Sequence, residues 1–293
     1  MLYDLSLHIG YRYEVPASGA HHMLRLLPLS LPDRQRLIAG AVTVTPEPDE
    51  LATFDDFFRH PTRHAILRAP HEKLDIRMQA RVMVQPVSVP ADFSPILDRL
   101  PQELAETWTL DAESPHHFLG ISPRLPRDRE IAAYARTELK PSMTVRQIAE
   151  QLCTRIYRDF KYDPEATTVD STPAEAFAKK RGVCQDFSHV MIVALRSLGI
   201  PAGYVSGFLR TIPPPGKERL EGADAMHAWV RVWCGKLTGW IELDPTNNIP
   251  AGTDHIVVGY GRDYSDVAPV IGVLKSYGSH KTDQSVDVIP VKQ

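Results

Sequence analysis

From Leu2 to about Val89 the apolar residues mostly recur at every second position. Leu5, Leu7 and Ile9 alternate with Ser6 and His8, and Val42 is followed by Val44. Later runs cover Ile76 to Gln79 and Ala80 to Val89, the last interrupted at Pro86. Alternation of this kind gives a segment one apolar and one polar side, which predicts β-strands lying over a core. Prolines at 28, 32, 46, 48, 61 and 70 break the runs at short intervals. A proline cannot donate to a strand ladder, so this spacing fits the turns and edges of an antiparallel sandwich or barrel. Residues 1–90 are expected to form an all-β, sandwich-like domain.

Residues 91–128 hold short apolar clusters between prolines and read as a connecting segment of short helices and loops. From Arg129 the period changes. Val145, Ile148, Leu152 and Ile156 fall at helical spacing, with Thr144 as N-cap and Gln147 three residues on completing a capping box. A second helix is predicted from Pro173, with the Lys179-Lys-Arg-Gly182 run as its C-terminal stop. Val183 to Gly199 reads as a buried helix, apolar at 187, 190, 191, 194 and 198. Period two then returns at Ala202 to Leu209, resumes after a polar loop around Pro213-Pro-Pro-Gly216, and continues through Met226 to Cys234 and Trp240 to Asp244. Helices first and strands after make residues 129–293 an α+β unit.

Composition narrows the function. The 293 residues carry 33 Lys+Arg against 36 Asp+Glu, a net charge of −3 with no long block of one sign, so nucleic acid and anionic membranes are not expected partners. The start of the chain lacks a basic segment followed by an apolar run, and no later stretch approaches a membrane span, so the expected location is the cytoplasm. Cys153, Cys184 and Cys234 are too few and too scattered for a disulfide framework. His21-His22, His116-His117 and the His60/His64 spacing lack a matching second ligand pair, so neither a metal nor another cofactor is expected.

Cys184 lies in the first turn of the predicted buried helix. The field of a helix N-terminus lowers a thiol pKa below its free value of about 8.5, and the unpaired first amides can donate to an oxyanion. A thiol nucleophile needs a histidine base whose tautomer a carboxylate fixes. Strands Met226–Cys234 and Trp240–Asp244, joined by Gly235-Lys-Leu-Thr-Gly239, supply His227 and Asp244. Pairing Trp233 with Trp240 opposes Asp244 to Trp229 and leaves His227 diagonal on the same face, about 7–8 Å away between backbones and within side-chain reach. A slip of one residue would separate them. Cys153 and Cys234 read as packing residues, and Asp186 and His189 as structural partners. Trp229, on the His227 face, is the candidate for contact with substrate.

Gly182-Val-Cys-Gln-Asp-Phe-Ser-His189, Met226-His-Ala-Trp229 and Asp244-Pro-Thr246 resemble the core of the transglutaminase-like superfamily, in its bacterial branch of candidate cysteine proteases. Leu24-Arg-Leu-Leu-Pro28 and Pro70-His-Glu-Lys-Leu74 are similar to the β-rich domain that accompanies that core, and His255 to Asp266 to its closing strands. The resemblance implies a papain-like fold and a thiol that forms an acyl-enzyme with a carboxamide, released to water or to an amine. Cys184 would then be the nucleophile, His227 the general acid and base, and Asp244 the orienting carboxylate, with Tyr162 as second oxyanion donor. Without an EF-hand type acidic loop, the calcium dependence of animal relatives is not carried over. Hydrolysis of a peptide or isopeptide amide in a peptide or protein substrate is the expected activity. Its rivals are transamidation with an amine acceptor and a binding scaffold that keeps the fold without turnover.

Overall fold

Alternation at the start of the chain produces one long strand, β1 (Leu2–Leu24), with Tyr3, Leu5, Leu7 and Ile9 buried. The computed structural model describes residues 1–86, 91–211, 222 and 224–291. Val87 to Val89, which end the first apolar run, and the Pro213-Pro-Pro-Gly216 loop lie outside these residues. After β1 come β2 (Gln35–Thr45), β3 (Glu50–Asp55), β4 (Pro61–Leu67) and β5 (His71–Val84). The connecting segment carries α1 (Leu100–Ala105) and two short 3₁₀ turns.

The second half runs α2 (Arg129–Arg136), α3 (Val145–Asp159), β6 (Lys161–Tyr162), α4 (Pro173–Lys179), β7 (Arg181–Gly182) and α5 (Cys184–Ser197). Strands β8 (Ala202–Leu209), β9 (Ala225–Trp233), β10 (Trp240–Asp244), β11 (Ile249–Pro250) and β12 (His255–Gly261) follow. The chain closes with α6 (Tyr264–Val267), β13 (Val270–Lys275) and β14 (His280–Pro290).

β1 organises the first sheet. Its first part lies between β5 and β14, its second part between β4 and β13, with β2 and β3 outside β5 and β4. The sequence reading groups β13 and β14 with the second half of the chain. They instead hydrogen-bond along β1, where the returning chain end fills the edge opposite β4 and β5.

The second sheet runs β11-β10-β9-β8-β12, entirely antiparallel. Helix α5 packs on it: Val190, Met191 and Ala194 share one core with Ala202, Tyr204, Ala228, Val230 and Val232. Burying an aliphatic side chain of this size contributes about 1.5–3 kcal/mol, so several together hold the helix rigidly against the strands. Helix α3 begins as its caps dictate: Gln147 N donates to Thr144 Oγ1 at 3.2 Å and Thr144 N to Gln147 Oε1 at 3.1 Å. The two halves are joined by a common core in which Phe208, Ile256 and Val258 pack with residues of β1, β2, β4 and β5. Among the described residues no helix is long and apolar enough to cross a membrane.

Candidate active site

Cys184 is the first residue of α5, with the extended Val183 as N-cap. No side chain of Val183 can cap the helix, so Asp186 does so from the third position. Its Oδ2 accepts from Val183 N at 2.8 Å and from Thr167 Oγ1 at 2.6 Å. Gly182 is required by this contact: a Cβ there would sit 2.4 Å from Asp186 Oδ2. The expectation that Gly182 stops the preceding helix is corrected, since Lys180 takes the left-handed position at φ 51°. Cys184 itself is half-buried.

The register is the one parity requires. Trp240 pairs with Trp233 and Leu243 with Val230, which puts the next residue, Asp244, on the His227 face. His227 Nε2 donates to Asp244 Oδ2 at 2.8 Å, leaving Nδ1 for the neighbouring thiol of Cys184, which is close enough to act on the ring's titration. Burial acts most strongly on His227 and disfavours its charged form. The hydrogen bonds and charges of Asp244 and Cys184 together outweigh burial and raise its pKa above the usual 6.5. Asp244 is fully buried. Burial alone would push its carboxyl up, but the bonds from His227 and His255, the His227 charge and Asn247 hold it well below the usual range. The arrangement therefore favours an imidazolium between a carboxylate and a thiol at a helix N-terminus.

Residues 129–245 match the model of the transglutaminase-like superfamily, and residues 3–83 that of the bacterial transglutaminase-like N-terminal region. The chain belongs to the transglutaminase-like superfamily. An uncharacterized protein of Mycobacterium bovis is 35% identical, the alignment covering 98% of this chain and 92% of that protein. One from Mycobacterium leprae is 31% identical over 95% of each. The crystal structure of a candidate cysteine protease from Cytophaga hutchinsonii superposes with a TM-score of 0.76, covering all of this chain and 91% of its own, at 19% identity. At that identity the likeness is one of fold.

The transglutaminase-like core also brings Tyr162 close to Cys184. β6 and β7 pair in parallel with Tyr162 beside Gly182, two residues before Cys184, and the ring is 56% exposed. Burial and then the charge of Cys184 raise its hydroxyl pKa, in keeping with that proximity.

Trp229 is a correction: it is fully buried and cannot line a substrate groove. Segment 29–35 covers this face of the sheet. Leu29 N donates to Val257 O at 3.0 Å, and Gln35 bonds both backbone groups of Val257 at 2.8 Å. Trp229 is packed with Leu29, Val205, Val257 and Tyr260.

Cys153 and Cys234 are buried and their thiols are raised by that burial, Cys153 to about 12, so neither competes as a nucleophile. His189 accepts from Tyr264 N at 3.3 Å inside the core.

Two groups on Asp244 escape sequence reading. Asn247 Nδ2 donates to Oδ2 at 2.7 Å, and the backbone N–H groups of Thr246 and Asn247 donate to Oδ1 at 2.9 and 3.2 Å. His255 Nε2 donates to Oδ2 at 3.2 Å. β12 and β10 are separated by two strands in the sheet order, so only curling of the sheet brings His255 and Asp244 together. Asn247 has a local signal, since an Asp commonly accepts from groups two or three residues on at a turn. His227, Asp244 and His255 are also close enough to suggest a metal site. The hydrogen bonds oppose that reading. His255 Nδ1 accepts from Gly252 N at 3.2 Å, so Nε2 carries the proton and has no lone pair to offer an ion.

Proposed function

We propose that the protein cleaves a peptide or isopeptide amide through an acyl-enzyme on Cys184. The single observation that carries this reading is the buried His227, bonded to Asp244 through Nε2 and close enough to Cys184 for the thiol to act on its titration. The thiolate adds to the carboxamide carbon. The oxyanion takes hydrogen bonds from Cys184 N–H, at the open end of α5, and from the Tyr162 hydroxyl. The C–N bond breaks as His227 gives its proton to the departing amine, leaving a thioester. His227, now neutral, accepts a proton from water, the resulting hydroxide adds to the thioester, and the thiolate leaves. Asp244 stays ionised throughout and holds the ring in place.

The test is turnover of a peptide and isopeptide amide panel by wild type and Cys184→Ala, with products analysed with and without a primary amine. Loss of all turnover in Cys184→Ala is expected, and surviving turnover refutes the mechanism. A product that incorporates the amine would assign transamidation instead of hydrolysis.

A further inference from the structure

Arg34 belongs to the first domain, immediately before β2, yet its guanidinium reaches the second sheet and forms a two-point ion pair with Glu242 of β10. Glu242 is nearly fully buried. Burial pushes its carboxyl up, and the charge and bonds of Arg34, with those of Trp229 and Tyr260, bring it below the usual range. Tyr260 Oη donates to Glu242 Oε1 at 2.8 Å and Trp229 Nε1 donates to Oε2. Four donors thus saturate the carboxylate.

The indole so anchored packs beside both histidines of the site, whose own rings lie 6.1 Å apart. Its ring lies 6.1 Å from His227, nearly parallel at 28°, and 5.1 Å from His255, edge-on at 77°. Both imidazoles deliver an N–H to the same oxygen, Asp244 Oδ2. Gly207, paired with His227, leaves the room: a Cβ there would lie 2.5 Å from Trp229 Cη2.

We propose that Arg34, Glu242 and Trp229 are positioning residues for the His227–Asp244 pair, so that the first domain supplies part of the active site. The indole is a buttress packed against both imidazoles that sets their planes, the indole N–H fixes it to Glu242, and Arg34 lets that carboxylate stay charged while buried. This inference rests on the proposed role of His227. It assigns the first domain a task beyond covering the sheet.

The test separates the anchor from the charge. Arg34→Met with Glu242→Gln removes the ion pair but keeps an oxygen to accept the indole N–H. Arg34→Met with Glu242→Leu removes both. Neither double variant leaves an unpaired buried charge, and thermal unfolding checks that both are folded. Two readouts are taken on each: the titration of His227 by NMR, and alkylation of Cys184 by iodoacetamide at pH 6, with buried Cys153 and Cys234 as internal controls.

In the Leu variant the His227 midpoint is expected to fall by about one pH unit as its bond to Asp244 loosens, and alkylation to slow about tenfold. The Gln variant stays near wild type. Equal His227 titrations in the two variants overturn the proposal. Should His227 titrate as expected while removal of His227 leaves wild-type alkylation unchanged, the positioning stands and the proposed function fails.

Discussion

Replacing Asp244 by Asn tests the site at its most heavily bonded atom pair. Oδ2 accepts from His227, His255 and the Asn247 amide, and Oδ1 from the backbone N–H groups of Thr246 and Asn247. An amide offers one oxygen and one NH2. Turned to spare the histidines, it faces two backbone donors with an NH2; turned the other way, it faces three donors. The lesser conflict orphans two buried donors at about 1–3 kcal/mol each, and a buried ion pair broken on one side costs about 3–5 kcal/mol in comparable cases. A loss of about 4 kcal/mol in unfolding free energy is expected, lowering Tm by about 8 °C.

The acid side supplies a second check. Asp244 has a depressed folded-state pKa, so its stabilisation is present above the carboxylate's ordinary titration near 4 and is lost as pH falls further toward the folded value. The gap between wild type and Asp244→Asn is therefore largest between about pH 5 and pH 6.5, since above that range His227, whose folded-state pKa is raised, progressively loses its own contribution. It narrows by up to about 1.4 kcal/mol for each pH unit below 4, because the protonated acid comes to resemble the amide. Urea unfolding of both proteins at pH 6 and pH 3 measures it. A loss under about 1 kcal/mol at pH 6, or a gap that does not narrow in acid, refutes this account of how the carboxylate is held.

Tyr162→Phe removes the proposed oxyanion donor and leaves the thiol–imidazole pair untouched. Amide turnover is expected to fall about 10²–10³-fold with Cys184 alkylation unchanged, and parallel loss of both would assign the ring a packing role. Gly182→Ala puts a methyl where Asp186 caps Val183, so a loss of about 1–3 kcal/mol is expected, read as a lower Tm with slowed Cys184 alkylation. An unchanged Tm would show that the α5 entry tolerates the methyl.

Local rules made much of this protein legible from its residues. The Thr144/Gln147 capping box, the helix that starts at Cys184 and the alternation of β1 each depend on neighbours within a few positions. The Trp233–Trp240 register could be reasoned out as well, because the side-chain period of a strand permits only one parity that places His227 and Asp244 on one face.

What escaped depends on contacts far apart in the chain. Alternation says that Trp229 shares a face with His227; it does not say that residues 29–35 cover that face, so the indole is buried where a groove was expected. Nor does any spacing relate His255 to Asp244 across two intervening strands, or Arg34 to Glu242. The return of β13 and β14 to β1 is of the same kind.

The sequence by itself determined many of the helices and strands, the place of Cys184 at a helix end and the face that carries His227 and Asp244, since each follows from backbone geometry over short distances. Only the tertiary structure decided how the second sheet curls and what closes over it. Those features arise from burial and hydrogen-bond satisfaction among segments that meet only once the whole chain has packed.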